Sequence, residues 1–417
     1  TGTGITDGTN TGNTADAAVT STTDIVIYYS VGINTNNLEL GSGTVDITNG
    51  NTATFSVAQA ANVGVGDKII YNDGTARTVY IKGRTSATVY TVQTATGAAA
   101  TNADDATVTS ITRTFNSLNA ASSGADDLLG TGDIAANNYQ LHIACYADGA
   151  DTAGASFSNS TYSTGPDNYV RVFTPVSPSQ VGVSQRHQGV WTSNAYSLER
   201  SAADTLGFSV KYIRIEGLQI SQNGSNNGCI FAAPVGDSYE TEVHISHNLI
   251  RGTTGAVDFV IDFNGNFDGG RYYVYNNVMY DISSGFGATY HNVQGTADQN
   301  VLYYYNNTVY NCPNQGLDGG GYAYAKNNIV VGSGNTSAYS SNFMPGTDYN
   351  ATDGTDNIGQ GTHNRTSQAF SFVDATNRDF RLATTDAGAR NYGTDLSGDP
   401  IIQITDDSSG AGRVDGA

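Results

Sequence analysis

A short pattern recurs through the second half of this chain, and it restricts the available folds more than any other feature. It runs inward residue, outward residue, inward residue, two further residues, a turn position, one residue, inward residue. Ile213, Ile215, Leu218 and Ile220 fill it first. Val243, Ile245, Asn248 and Ile250 repeat it, as do Tyr272, Val274, Asn277 and Met279. Leu302, Tyr304, Asn307 and Val309 follow, then Ala323, Ala325, Asn328 and Val330. The turn positions 218, 248, 277, 307 and 328 are separated by 30, 29, 30 and 21 residues. Leu141 with Ile143 and Val170 with Val172 are two weaker, earlier units.

An antiparallel sandwich has no reason to place the same pattern, with the same Asn, at a nearly constant interval. A coil that returns to one place on every turn does. One unit cannot bury its apolar face alone, whereas units stacked about 4.8 Å apart share a continuous core and parallel ladders. Asn at the turn is expected for two reasons: it tolerates left-handed backbone, and identical amides on successive rungs can bond to one another. The ladder expected is Asn248, Asn277, Asn307 and Asn328, broken at its first rung by Leu218.

Composition agrees with strands and turns. Gly numbers 50 and Tyr 26, while Lys numbers 4 and Glu 5, which removes the residues that carry most helices. Residues 1–23 contain almost nothing apolar beyond Ile5 and Val19 and read as an extended polar arm. Residues 24–112 alternate short apolar runs with turn signals such as Asn49-Gly50 and Asn72-Asp73-Gly74, which predicts a small antiparallel β domain. Residues 114–123, with Phe115, Leu118 and Ala121 at three-residue spacing and Gly124 as a stop, form the expected short helix. Residues 113–400 are then the coil with its capping helix, and 401–417 a C-terminal tail.

The stacked units resemble right-handed parallel β-helix proteins of the pectate-lyase-like superfamily. Residues 115–121 look like the short helix that plugs the open end of such coils. Asp379-Phe-Arg-Leu382, Asp386-Ala-Gly388 and Asp395-Leu-Ser-Gly-Asp-Pro400 look like the closing segment of secreted β-helix-repeat proteins, though the usual Ser-Pro-Ala-Ile-Asp before the Asp-Ala-Gly is missing. The resemblance covers about residues 114–400. It implies an all-β fold, a right-handed parallel β-helix preceded by the small antiparallel domain. It says little about activity, because the architecture serves lyases, hydrolases, adhesins and fibres alike.

A net charge of −20 argues against a nucleic-acid groove, which needs clustered Lys and Arg, and against an anionic membrane surface. No apolar run approaches the roughly 18 residues of a membrane span. The chain opens at Thr1 without an initiator Met or signal peptide, which fits a processed mature protein or a fragment. Cys145, Cys229 and Cys312 have no metal-type spacing and read as small buried hydrophobes. Low Lys, high Thr, Asn and Gly, and acidity together point to an extracellular or cell-surface protein.

Enzymes of the resembling superfamily use a Ca2+-bound Asp cluster with an Arg or Lys base, or several Asp on neighbouring rungs. The outward positions here are Arg214 and Glu216, His244 and Ser246, Tyr273 and Tyr275, Tyr303 and Tyr305, Tyr324 and Lys326, so no rung face offers paired carboxylates. No cofactor is required; Ca2+ is the one admitted, at Asp262, Asn264, Asn266 and Asp268 with help from Asp258, against the plainer reading of a polar turn. The excursion 175–209 carries Arg186, His187, Trp191 and Arg200. Trp191 suits either sugar stacking or anchoring of the loop on the coil wall. Arg186 and His187 lack an identifiable carboxylate partner for catalysis, and Arg171 and Arg214, in one outward column, are expected to form surface ion pairs, for example with Glu216. The least ordinary feature is an aromatic column, with His244, Tyr273, Tyr303 and Tyr324 in line and Tyr275 and Tyr305 beside them. Such a stripe marks an interface with another domain or subunit, a glycan platform, or simple surface stacking.

The function expected first is a structural or adhesive surface protein, a homo-oligomer or head-to-tail homopolymer. In that scheme the polar arm and the strand Asp24–Tyr29 pair with a neighbour's open edge. The alternatives are a polysaccharide lyase or glycoside hydrolase using Asp258, Asp262, Asp268, Arg271 or Arg251, and a non-catalytic glycan-binding module. Sequons at Asn159, Asn223 and Asn306 leave glycosylation open.

Overall fold

The computed structural model describes residues 24–224, 228–234, 241–252, 259–265, 270–282, 287–293, 300–320, 322–333, 338–340, 342–356, 358 and 361–410. Its backbone is a parallel β-helix. One wall is an eight-stranded sheet ordered Ile25–Val31, Tyr139–Cys145, Val170–Phe173, Tyr212–Glu216, Thr241–Ser246, Gly270–Tyr275, Asn300–Tyr305 and Ala323–Lys326. A second eight-stranded sheet lies beyond the turn, from Ala150–Asp151 to Ala351–Thr352, and a five-stranded third sheet runs from Ala155–Phe157 to Gly287–Val293. The register is the one the repeat requires: Ile213, Val243, Tyr272, Leu302 and Ala323 are successive partners, and so are Ile215, Ile245, Val274, Tyr304 and Ala325. All ten are fully buried and belong to one core that extends from Ile27 to Ile358. Alternation thus becomes a filled interior because each inward residue lies on the inward residue of the rung before it.

The antiparallel unit is a closed six-stranded barrel, with strands Thr44–Thr48, Thr52–Phe55, Val89–Gln93, Ala76–Arg84, Lys68–Asn72 and Ala103–Thr112 in spatial order. It has its own core, including Val45, Ile69, Tyr71, Tyr90 and Ile111. Asn49 and Gly50 both take left-handed φ in the first hairpin, as an Asn-Gly turn should. The barrel's start differs from expectation. Residues 25–31 do not join it; they pair in parallel with Tyr139–Cys145, Ile25 opposite Tyr139 through Val31 opposite Cys145. The barrel is therefore an insertion between the first two strands of the long wall. The stretch Ile-Val-Ile-Tyr-Tyr is apolar at both parities, so it carries no local sign of which sheet it enters, and its partner lies over a hundred residues away.

Two short helices, Leu118–Ser122 and Ala125–Leu129, plug this end. The Ser117 side chain caps the first by accepting from the Ala120 N–H, and the Leu118 N–H donates to Asp151 at 2.6 Å. Gly124, expected as a stop, is instead the N-cap of the second helix. Arg113 fastens barrel to coil. Its Nη1 donates to both oxygens of Asp67 at 2.8 Å, its Nε and Nη2 donate to Asp148 at 2.7 and 3.0 Å, and its guanidinium lies 3.7 Å over the Tyr146 ring.

At the other end the chain folds back. Phe372–Asp374 and Asp379–Leu382 form a small antiparallel hairpin, and Phe372 and Phe380 pack on Tyr280 and Tyr310. Asp386 accepts the N–H groups of Ser371, Ala389 and Arg390, which ties the edge of this hairpin to the turn at residues 386–390. The segment expected to close the coil instead runs along its outer wall, where residues 394–407 form a strap. No helix among the described residues is long and apolar enough to cross a membrane.

Candidate functional site

The Asn ladder forms, and it is longer than the sequence repeat suggested. The side-chain carbonyl of Asn277 accepts both the backbone and the side-chain N–H of Asn248 at 3.0 Å, and Asn307 does the same for Asn277 at 3.1 Å. Asn328 serves Asn307, Asn350 serves Asn328, and Asn364 serves Asn350. Leu218 joins as a donor, its N–H reaching Asn248 Oδ1 at 2.9 Å. One reason given for Asn fails. The left-handed residue of each turn is the one before the ladder: Gly217, His247, Asn276, Asn306, Asn327 and Tyr349, at φ between 56° and 78°. The ladder Asn is chosen for its amide alone, and the bend is made by its predecessor.

The outward column is continuous over eight rungs: Tyr28, His142, Arg171, Arg214, His244, Tyr273, Tyr303 and Tyr324 are successive partners. The Tyr273 and Tyr303 rings stack at 5.2 Å and 11°, Tyr303 and Tyr324 at 5.5 Å and 8°, and His244 stacks on Tyr273 at 4.5 Å. Rings stacked along the coil axis present edges outward, whereas a sugar stacks on a face. The stripe is also not bare. Leu396, Ile402 and Ile404 of the strap cover Tyr273, Tyr303 and Tyr305, leaving Tyr303 only 8% exposed, with Tyr275 and Tyr324 packed at the margin. Lys326 Nζ meets Asp399 at 2.7 Å, and Asn276 Nδ2 donates to Asp406. The column is an interface, and its partner is this chain's own C-terminal segment.

The excursion residues come together differently. Arg186, left without a carboxylate in the sequence, donates to Glu216 at 2.6 Å, and Arg171 grips the same carboxylate at 2.5 Å. Burial alone would raise the Glu216 carboxyl, but the two guanidiniums outweigh it and hold the group well below the usual range. The surface pairing anticipated for Arg171 is therefore a half-buried triad, whereas Arg214 has no carboxylate partner among the described ion pairs and instead lies 3.7 Å over the Tyr169 ring. His187 is fully buried, with Nε2 2.8 Å from the His247 carbonyl oxygen and Nδ1 accepting the Gly189 N–H; burial pushes its imidazole down to about 3. Trp191 packs beside Leu249, Val278, Tyr280 and Phe380, with the Arg251 guanidinium 3.6 Å over its ring. All three residues serve the wall.

Of the Ca2+ set, Asp258, Asn266 and Asp268 and the side chain of Asn264 lie outside the described residues. Asp262 sits within the strand Phe259–Gly265, opposite Phe231 and Tyr290, and is buried. It is a strand residue where a loop was expected. Among the described residues no group of three or more His, Cys, Asp or Glu is placed to hold a metal.

The strap and the last rungs enclose a cleft that the sequence did not announce. Its larger part is a cavity of about 860 Å3 with Tyr349, His363 and Arg365 on the coil side and Arg390, Tyr392 and Asp395 on the strap side. A second part of about 710 Å3 shares Tyr349, Thr394, Asp395 and Leu396 and adds Lys326, Asp348 and Asp399. Asn327 sets the width, its amide donating to the Thr394 carbonyl and accepting the Thr394 N–H. Tyr349 and His363 stack at 4.4 Å and 2°, His363 Nδ1 pairs with Asp348 at 2.7 Å, and the Arg365 guanidinium lies 3.4 Å over Tyr392. One signal could have pointed here: Asn350 and Asn364 continue the ladder beyond the last unit recognised, without the apolar flanks that made the other units visible. No known protein family, curated protein or solved structure matches this chain, so its site is read from geometry.

Proposed function

We propose that this chain is an extracellular or cell-surface β-helix of the pectate-lyase-like kind that acts as a non-catalytic adhesive scaffold, with its recognition site in the C-terminal cleft. The hydrogen bonds made to Asp348 and Asp399 at that cleft carry the proposal, since His363, Tyr349, Lys326, Ile401 and Ile402 all donate to these two carboxylates. A glycoside hydrolase keeps one carboxyl protonated as an acid beside an ionised partner. Burial would raise Asp348, but the His363 ring and the N–H groups of His363 and Tyr349 outweigh it and hold the carboxyl below its usual range. Burial acts likewise on Asp399, and Lys326 with the Ile401 and Ile402 N–H groups overrides it. Both are anions at neutral pH, suited to accepting hydrogen bonds and unsuited to donating a proton. Glu216 on the wall is already consumed by two arginines.

The scaffold part rests on the rungs. Eight strands in one sheet, a shared core and a buried amide ladder make a stiff rod, and net negative charge keeps such rods apart in solution. Head-to-tail growth by donation of the first strand is no part of the proposal, because Ile25–Val31 is already paired within the chain.

The test incubates the full chain with a panel of immobilised and soluble polysaccharides, with and without added Ca2+. Retention and release of reducing ends or unsaturated products are measured together. Retention without product is expected. Product release would replace the adhesive function with the lyase or hydrolase alternative.

A further inference from the structure

The first strand of the long wall has an outer edge, and the barrel hides it. In Ile25–Val31 the Ile25 N–H and the Val31 carbonyl bond on the side of Tyr139–Cys145, to the Asn138 carbonyl and the Tyr146 N–H. Alternation then turns the backbone groups of Val26, Tyr28 and Ser30 the other way, toward what would be the open edge of a parallel sheet. The Gln93 side chain, 2% exposed, donates to the Val26 carbonyl and accepts the Tyr28 N–H, both at 3.1 Å. The Gly66 carbonyl accepts the Ser30 N–H at 2.9 Å, and the Ser30 carbonyl accepts the Phe115 N–H at 2.9 Å. A side-chain amide and a turn carbonyl of the barrel thus stand where a neighbouring strand would lie.

The fit is close enough to need glycine. Gly66 has φ 86°, and a Cβ there would fall 2.4 Å from the Ser30 nitrogen and from the Tyr29 carbonyl carbon, so any larger residue would hold the barrel backbone off the edge. Tyr29 adds a tie from the buried side of the strand: its hydroxyl donates to the Ala95 carbonyl at 2.7 Å, and its ring packs edge-on against Tyr80 at 5.2 Å. The covered strand reads Ile-Val-Ile-Tyr-Tyr-Ser-Val, β-branched or aromatic everywhere except Ser30, with no charge and no proline. Such a segment with a bare edge is a template for another strand.

We infer that the inserted barrel masks a homotypic docking edge, and that Ile25–Val31, once uncovered, pairs antiparallel with Ile25–Val31 of a second copy of this chain. The far edge of the wall is not the occupant, because the Ala323 and Ala325 carbonyls already accept the Met344 and Asp348 N–H groups. The first strand is its own best partner. A two-fold axis through Tyr28 sets Val26 opposite Ser30 in both directions and brings no like charges together within the pair. Pairing about a two-fold closes on itself, so the product is a dimer and not a filament. The inference is independent of the cleft and of the adhesive function proposed above; it gives the barrel the task of keeping the rod a monomer.

Size-exclusion chromatography with light scattering on the full chain, read beside hydrogen exchange at Tyr28 and Ser30, provides the test. The unaltered chain should run as a monomer with both amides protected. Gly66→Val should push the barrel off the edge, speed exchange at both amides by about tenfold or more and double the mass, while circular dichroism shows the coil intact. Gln93→Glu removes the donor to the Val26 carbonyl without enlarging the residue and should act in the same direction, more weakly. Adding Val26→Pro to Gly66→Val should restore the monomer, because proline withdraws an N–H from the outer edge and leaves the pairing with Tyr139–Cys145 in place. A dimeric unaltered chain, a monomer with both amides exposed, a dimer that survives Val26→Pro, or an open-ended polymer would overturn the inference. So would full protection in both Gly66→Val and Gln93→Glu, since the mask would then not depend on the contacts that form it.

Discussion

At the N-terminal end Arg113 lies between Asp67 and Asp148 with its side chain almost wholly buried, whereas at the C-terminal end Lys326 meets Asp399 with 26% of its side chain in water. The first end is sealed by two helices and a barrel whose insertion point is the edge strand itself. The second is held by a strap that, among the described residues, forms no strand beyond a single bridge position at Asp406, and it leaves a cleft beneath it. The first covers the open edge of the coil, the second lies along its outer wall, and only the second leaves room for a ligand. Buried, fully satisfied charge makes an end permanent; partly hydrated charge and a few apolar contacts make an end that can open.

The largest effect should fall on the sealed end. Arg113→Ala strands two buried carboxylates and is expected to cost about 3–5 kcal/mol in a denaturant titration. A loss under about 1 kcal/mol would mean that the junction is not a structural lock. At the strap, Leu396→Ser with Ile404→Ser should cost about 2–3 kcal/mol, and the loss should be local. Hydrogen exchange would rise across 394–407 while the rungs stay protected. Cooperative unfolding of the whole coil in that variant would erase the contrast between the ends.

Acid separates them further. His142 is buried among Tyr28, Tyr169 and Phe173, and neither ring nitrogen has a hydrogen-bond partner. Burial first, then Arg171 and Arg214, push it well below the usual imidazole range. A folded-state value below the unfolded one, near 6.5, means that the folded chain binds fewer protons. Stability present above that pH is therefore lost as pH falls, at up to about 1.4 kcal/mol per unit. His187 adds to the same window, from about 6.5 down to about 3. His142→Phe should raise stability by about 1–2 kcal/mol and reduce the fall of the melting temperature between pH 7 and 5, leaving the part due to His187. Asp399, held low, begins to release the strap only below about pH 4. The smallest effect is Lys326→Met, within about 1 kcal/mol because the pair is partly hydrated; protease nicking within 394–407 would report it before any melt does.

The repeat made the coil legible because inward residues at fixed register leave a period in the sequence. Ile213 and Val243 announce each other. What stayed hidden depends on partners without a period. The edge strand Ile25–Val31 chooses between barrel and coil only through Tyr139–Cys145. Arg186 finds Glu216 only when an excursion of the chain folds onto the wall. The aromatic column was visible, but its cover was not, since Leu396, Ile402 and Ile404 look like any tail residues until they meet Tyr273 and Tyr303. The cleft was least legible of all, being the space between two segments and the property of neither.

The amide ladder is a ruler that counts rungs and ignores residues. Consecutive Asn partners are separated by 29, 30, 21, 22 and 14 residues, yet each makes the same pair of bonds to the next. Peptide can therefore be added to or trimmed from the far side of a turn without moving the tether, and the barrel inserted after Val31 shows how large such an addition can be. An engineer wishing to hang a foreign loop, a tag or a second binding module on this rod should cut in the connections on the far side of a turn, away from the paired strands and from the left-handed residue and its Asn.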